Sequence, residues 1–186
     1  MSALPEENKL YAYEDYLTWD EDFRCELIDG VVYAMAGVSV SHSRANKSLI
    51  LQIGNYLDGK TCELFYENFD VKFDKKTVVK PDLMVVCDPS ILEERGCMGA
   101  PDLIIEILSP STSRKDRITK LHLYEKFGVK EYWIVDPHAR YVTVYILNGG
   151  KYGLAHKVYE ETDTIPVHVL EDCNIDLTKV FENIPL

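Results

Sequence analysis

A glutamate set in the middle of an apolar strand constrains this chain more than any other feature. The run Pro101-Asp102-Leu103-Ile104-Ile105-Glu106-Ile107-Leu108 carries five aliphatic side chains in eight, the pattern of a strand covered on both faces inside an α/β sheet. An ionised carboxylate taken out of water is costly enough that it neutralises, pairs with a cation or binds a metal. Glu106 therefore requires a partner. A second apolar run, Val78–Val86, brings another acid, Asp82, just after Pro81. Two such acids on neighbouring strands make a site for a hard cation.

The length and the charge narrow the possibilities. At 186 residues and 46% hydrophobic, the chain can bury one good core and is short for two, so residues 1–186 read as one domain. Thirty-one acidic against twenty basic residues give a net charge of −11, which disfavours non-specific phosphate binding and argues against a nucleic-acid footprint. The five cysteines, Cys25, Cys62, Cys87, Cys97 and Cys173, show no paired spacing. They read as reduced thiols of a cytoplasmic protein. Met1–Lys9 lacks the charged start and apolar run of a signal peptide, and no segment has the apolar length of a membrane span.

Along the chain, Tyr11–Trp19 reads as a short surface helix, and Glu26–Tyr33 as two apolar runs around Asp29-Gly30, a hairpin signal. Leu49, Ile53, Tyr56 and Leu57 recur at helical spacing behind the caps Ser39 and Ser41, with His42 in the opening turn. Leu64–Tyr66 and Val71–Phe73 read as a strand and its continuation, and Cys87–Ala100 as a loop with one helical turn. Ser113 and Asp116 have capping-box spacing ahead of a helix whose apolar side is Ile118, Leu121, Tyr124 and Phe127, closed by Gly128. Glu131–Pro137 and Tyr141–Leu147 are strands, and Leu154–Leu186 supplies edge strands or a short closing helix. This order fits a mixed sheet with helices on its faces.

Lys80-Pro81-Asp82, the run Gly99–Thr112, then Asp116, Lys120, Tyr124 and Gly128–Pro137, resemble the Uma-two family of the PD-(D/E)XK nuclease superfamily, with Glu26–Gly30 and His42 matching its upstream signature. The resemblance covers about Glu26 to Tyr152. It implies an α/β, restriction-endonuclease-like fold, here a mixed sheet flanked by helices with an added N-terminal hairpin and C-terminal strands. It also implies metal-dependent hydrolysis of phosphodiester bonds, with DNA as substrate, Asp82 and Glu106 as ligands of Mg²⁺ (or Mn²⁺), and a homodimer that cuts two strands as a pair. One departure is specific: the tripeptide reads Glu106-Ile107-Leu108, so Leu108 stands where the lysine belongs. Lys120, from the following helix, is the candidate substitute.

Each assignment has a plainer alternative. Asp82 also serves as a turn residue after proline, Glu106 as half of a structural ion pair, and Lys120 as the partner of Asp116 in an exposed helix pair. Glu26 adds a third acid or faces solvent; His42 acts as a base or phosphate contact, or as a hydrogen-bonded surface residue. Asp102 reads as structural, and Tyr132 and Trp133 as packing rather than base-stacking residues. Two rival functions remain beside the nuclease. One is a non-catalytic interaction protein that kept the fold, which Leu108 and the negative charge favour; the other is a metal-dependent hydrolase acting on something other than DNA.

Overall fold

The structure is a computed structural model that describes residues 5–6, 9–20, 22–109, 113–153 and 156–185. In chain order its strands are β1 (Cys25–Ile28), β2 (Val31–Ala34), β3 (Glu63–Tyr66), β4 (Asp70–Asp74), β5 (Thr77–Val79), β6 (Leu83–Val86), β7 (Leu92–Glu93), β8 (Gly96–Met98), β9 (Leu103–Ile107), β10 (Glu131–Asp136), β11 (Tyr141–Ile146), β12 (His156–Glu160), β13 (Thr164–Pro166) and β14 (Asn174–Asp176). The helices are α1 (Tyr13–Tyr16), α2 (Val40–Leu57), α3 (Leu121–Phe127) and α4 (Leu177–Phe181). A wider π-helical stretch, Lys115–Lys120, leads into α3.

Two six-stranded sheets carry the fold, in the orders β2-β1-β5-β4-β8-β7 and β12-β11-β10-β9-β6-β3. β9 and β10 run parallel, as a crossover through a helix requires; β6 and β9 run antiparallel. Alternation along β9 sorts its side chains: Leu103, Ile105 and Ile107 join the cluster beneath α2 and α4, whereas Ile104 and Leu108 face the cluster between the two sheets and α3. Glu106 belongs by period to that second face. On the far side of the first sheet, Tyr11 and Tyr13 cover Leu27 and Val78.

The expected mixed α/β architecture is present, and local chemistry explains it. In the β1–β2 hairpin Asp29 and Gly30 both have positive φ, 49° and 85°, as a two-residue turn of this hand demands. α2 is capped by Ser39, whose hydroxyl accepts from the His42 amide, and buries Ala45, Leu49, Ile53 and Leu57 along one stripe.

Several expectations are corrected. Val78–Val86 is not one strand: it breaks at Pro81-Asp82, with β5 in the first sheet and β6 in the second. Proline has no N–H to give a ladder, so the chain changes sheets there. β3 and β4 likewise belong to different sheets rather than continuing one another. The Tyr11–Trp19 helix shrinks to α1, and Tyr11 and Tyr13 are buried rather than superficial. Cys87–Ala100 holds a 3₁₀ turn and the small β7–β8 hairpin. Ser113 does not cap: its amide already donates to the Ser109 carbonyl, and its hydroxyl accepts from Arg117.

The cysteines are not all reduced. Cys62 and Cys87 form a disulfide, because each lies one residue beyond the Glu63–Val86 pair of the β3–β6 ladder, directly opposite the other. Cys25, Cys97 and Cys173 are free and buried. Among the described residues no helix is long and apolar enough to cross a membrane.

Candidate active site

Five elements meet where the two sheets adjoin. The β6–β9 register pairs Leu83 with Ile105, so one step further Asp82 comes next to Glu106, and both line the same cavity. β1 adds Glu26, α2 adds His42, and the π-helical stretch with α3 adds Lys115, Asp116, Lys120 and Tyr124. Together Glu26, His42, Asp82, Glu106, Lys115 and Lys120 help line a cavity of about 50 Å³.

Glu106, 4% exposed, accepts from Lys120 Nζ at 2.7 Å and from the Tyr124 hydroxyl at 2.6 Å, both on Oε1. The ammonium of Lys120 also lies 2.7 Å from Glu26 Oε1 and 3.6 Å from Asp116 Oδ1. Lys115 Nζ holds the other Glu26 oxygen at 2.5 Å, and the Lys80 amide donates to Oε1 at 3.2 Å. Asp82 Oδ2 accepts the Ile107 amide at 2.7 Å and lies 3.1 Å from His42 Nε2. Thus one strand, β9, supplies both the Glu106 carboxylate and the amide that anchors Asp82.

The charges follow from these contacts. Burial pushes Glu106 well above the ordinary carboxylate range, and Asp116, Asp82 and Glu26 add to the rise against the opposing pull of Lys120. Burial by itself pushes the pKa of Lys120 down, but Glu106, Glu26 and Asp116 outweigh it and hold the amine as ammonium. Burial likewise opposes ionisation of Glu26, yet Lys120 and Lys115 prevail and lower its pKa. Burial, then Glu106, pushes the Tyr124 phenol up, so it stays a neutral donor.

The structure therefore brings together all five residues singled out from sequence. Glu26 is 1% exposed and His42 5% exposed, which removes the solvent-facing alternative for each. Lys120, 3% exposed, is no surface partner of Asp116. Leu108, in the tripeptide lysine's position, is packed into the core between the sheets. Asp102 is structural as expected, accepting from the Cys87 amide and from Lys130. Tyr132 and Trp133 are fully buried. Tyr152 and Tyr159 are buried too.

Sequence reasoning missed Lys115 and overlooked the polar work of Tyr124. Tyr124 follows Lys120 by four, a helical spacing that puts both on one face. Lys115 precedes Lys120 by five, a spacing that shares a face only where the helix widens to π.

Asp82 and Glu106 are the carboxylates that would hold a hard divalent cation. Mg²⁺ takes one or two carboxylates and keeps several waters, and Asp82 with Glu106 offers that number. Among the described residues no group of three or more His, Cys, Asp or Glu side chains is arranged to hold a metal ion. Four acids and three lysines line the cavity.

Comparison with known proteins bears on the fold and the family. A crystal structure titled as a "putative nuclease belonging to DUF820" from Anabaena variabilis superposes with a TM-score of 0.76 at 22% identity, covering 92% of this chain and 97% of that one; at this identity the likeness is one of fold. Two uncharacterized proteins of Synechocystis sp. are similar in sequence. One is 37% identical over 114 residues, 60% of each chain; the other is 25% identical over 134 residues, 69% of this chain and 76% of its own. The first match thus spans 60% of that relative's length, under two thirds. The model of the Uma2 family, described as "Putative restriction endonuclease", matches residues 13–178, and the chain belongs to that family.

Proposed function

We propose that the protein is a metal-dependent endonuclease that hydrolyses phosphodiester bonds of DNA, with Asp82 and Glu106 holding Mg²⁺ or Mn²⁺. The observation that carries this reading is the placement of Lys120 Nζ 2.7 Å from Glu106, in a cavity that Asp82 also lines. A helix here delivers the ammonium group that Leu108 cannot. Bound between the acids, the cation would acidify a water and offset charge on the phosphate.

The chain's own groups have separable tasks. Lys120, held protonated by three carboxylates, is unsuited to accept a proton near neutrality. It stabilises negative charge growing on the phosphate. Tyr124 orients Glu106 through its hydroxyl, and His42 with the Ile107 amide orients Asp82. Glu26 sets the position of Lys120 and keeps it charged.

The net charge of −11 favours a second reading, a binding protein in which the ion cluster is purely structural. Cleavage of supercoiled, linear and single-stranded DNA in Mg²⁺ and in Mn²⁺ separates the two, with Asp82→Asn as control. Metal-dependent nicking lost in Asp82→Asn is the expected result. Calorimetric metal binding without cleavage of any DNA would move the reading to a hydrolase of another substrate, and absence of both would leave the binding protein.

A further inference from the structure

A second cavity, of about 430 Å³, opens next to the acid cluster and takes no part in the chemistry above. Its walls include Tyr16, Trp19, Phe23, Arg24, Asp70 and Lys80. We propose that it binds one nucleotide of the DNA substrate, base against the aromatic wall and phosphate toward Arg24, beside the bond to be cut.

Four observations converge on this assignment. The volume falls within the ~300–1,000 Å³ typical of small-ligand sites. The wall offers aromatic faces: Trp19 meets Tyr16 edge-on at 5.7 Å and Phe23 edge-on at 6.1 Å, a corner against which a flat heterocycle stacks. The polar side is built rather than incidental. Asp70 is 8% exposed, accepts from the Tyr16 hydroxyl at 3.0 Å, and is paired with Lys80 Nζ, so its carboxylate is fixed in place to read a base edge. Finally, Lys80 lines both cavities: its amide holds Glu26 while its ammonium holds Asp70. One residue thus separates the nucleotide pocket from the ion cluster.

The chemistry selects a nucleotide over a bare anion. Arg24, Lys80 and Arg95 are balanced on this wall by Asp20, Asp22 and Asp70, so charge alone gives phosphate little reason to stay, and the aromatic corner must supply the affinity. This inference rests on the nuclease reading for its substrate, but its test does not.

The full chain, in buffer without divalent metal, is titrated with deoxyadenosine monophosphate and, separately, with 2-deoxyribose 5-phosphate, which has no base. Trp19 reports the outcome, because Trp133 is wholly buried. Saturable quenching by the nucleotide and none by the sugar phosphate is expected. Phe23→Leu, which keeps apolar bulk but removes the ring, should weaken nucleotide binding about tenfold or more and raise KM for DNA cleavage with little change in kcat. Equal responses to the two probes, or no response to the nucleotide, would overturn the proposal. DNA cleavage with an unchanged KM in Phe23→Leu and no nucleotide binding would sink the pocket and spare the nuclease. Nucleotide binding without any DNA cleavage would do the reverse.

Discussion

Lys120 and Glu106 form a buried ion pair, 2.7 Å between Nζ and Oε1, that joins a helix to the strand beneath it. Removing the ammonium alone leaves Glu106 and Glu26 facing each other without it. Lys120→Met is therefore expected to cost about 3–5 kcal/mol of stability, the range for breaking a buried pair. Glu106→Gln should cost less, since Glu26 still lies 2.7 Å from the ammonium and the amide oxygen still accepts from Tyr124. Urea denaturation of the two variants at neutral pH provides the comparison.

The swap of lysine position can be reversed. If Lys120 supplies the missing tripeptide charge, Lys120→Leu should lower the rate of DNA nicking by roughly 10²–10³-fold, the usual loss for one stabilising group. Leu108→Lys added to that variant should recover part of the rate, because positions 106 and 108 share a face of β9. Nicking as slow in the double variant as in Lys120→Leu, with both folded by circular dichroism, would show that the helix lysine does something position 108 cannot.

Glu26 sets an acid limit to stability. Its folded pKa lies below the ordinary glutamate value of 4.5, so the unfolded chain binds the proton first as pH falls. The stability that Glu26 contributes is complete above about 4.5 and is lost as pH drops through its folded pKa. Urea midpoints measured from pH 7 down to 3 should fall more steeply for the wild type than for Glu26→Gln. Parallel curves would remove this carboxylate from the acid transition.

The Cys62–Cys87 bridge closes a loop with a sequence separation of 25, for which chain entropy gives about 3.5 kcal/mol. Dithiothreitol should lower the urea midpoint of the wild type and leave that of Cys62→Ser unchanged. Free-thiol titration of the unfolded, unreduced wild type should count three cysteines of the five.

Much of this was legible from residue order because the relevant signals are local. The apolar runs of β9 and β10, the Asp29-Gly30 turn and the spacing of Leu49, Ile53 and Leu57 each follow from a backbone period. Glu106 announced itself by breaking one. What stayed hidden depends on which strands become neighbours. Cys62 and Cys87 look unrelated until β3 lies beside β6, and Pro81-Asp82 looks like the interior of a strand until β5 and β6 part. Glu26 gave no sign of its burial, since the lysines that make burial tolerable come from a helix some ninety residues later. Lys115 was lost to a local irregularity, because α-helical arithmetic points it away from Lys120.

That parting of β5 from β6 at Pro81-Asp82 has a consequence for how the molecule comes apart. Glu26 rides on one sheet and Glu106 on the other, and the ammonium between them belongs to neither. A small separation of the sheets, too small to melt either one, would scatter the whole constellation at once. Loss of chemistry should therefore run ahead of loss of secondary structure on warming.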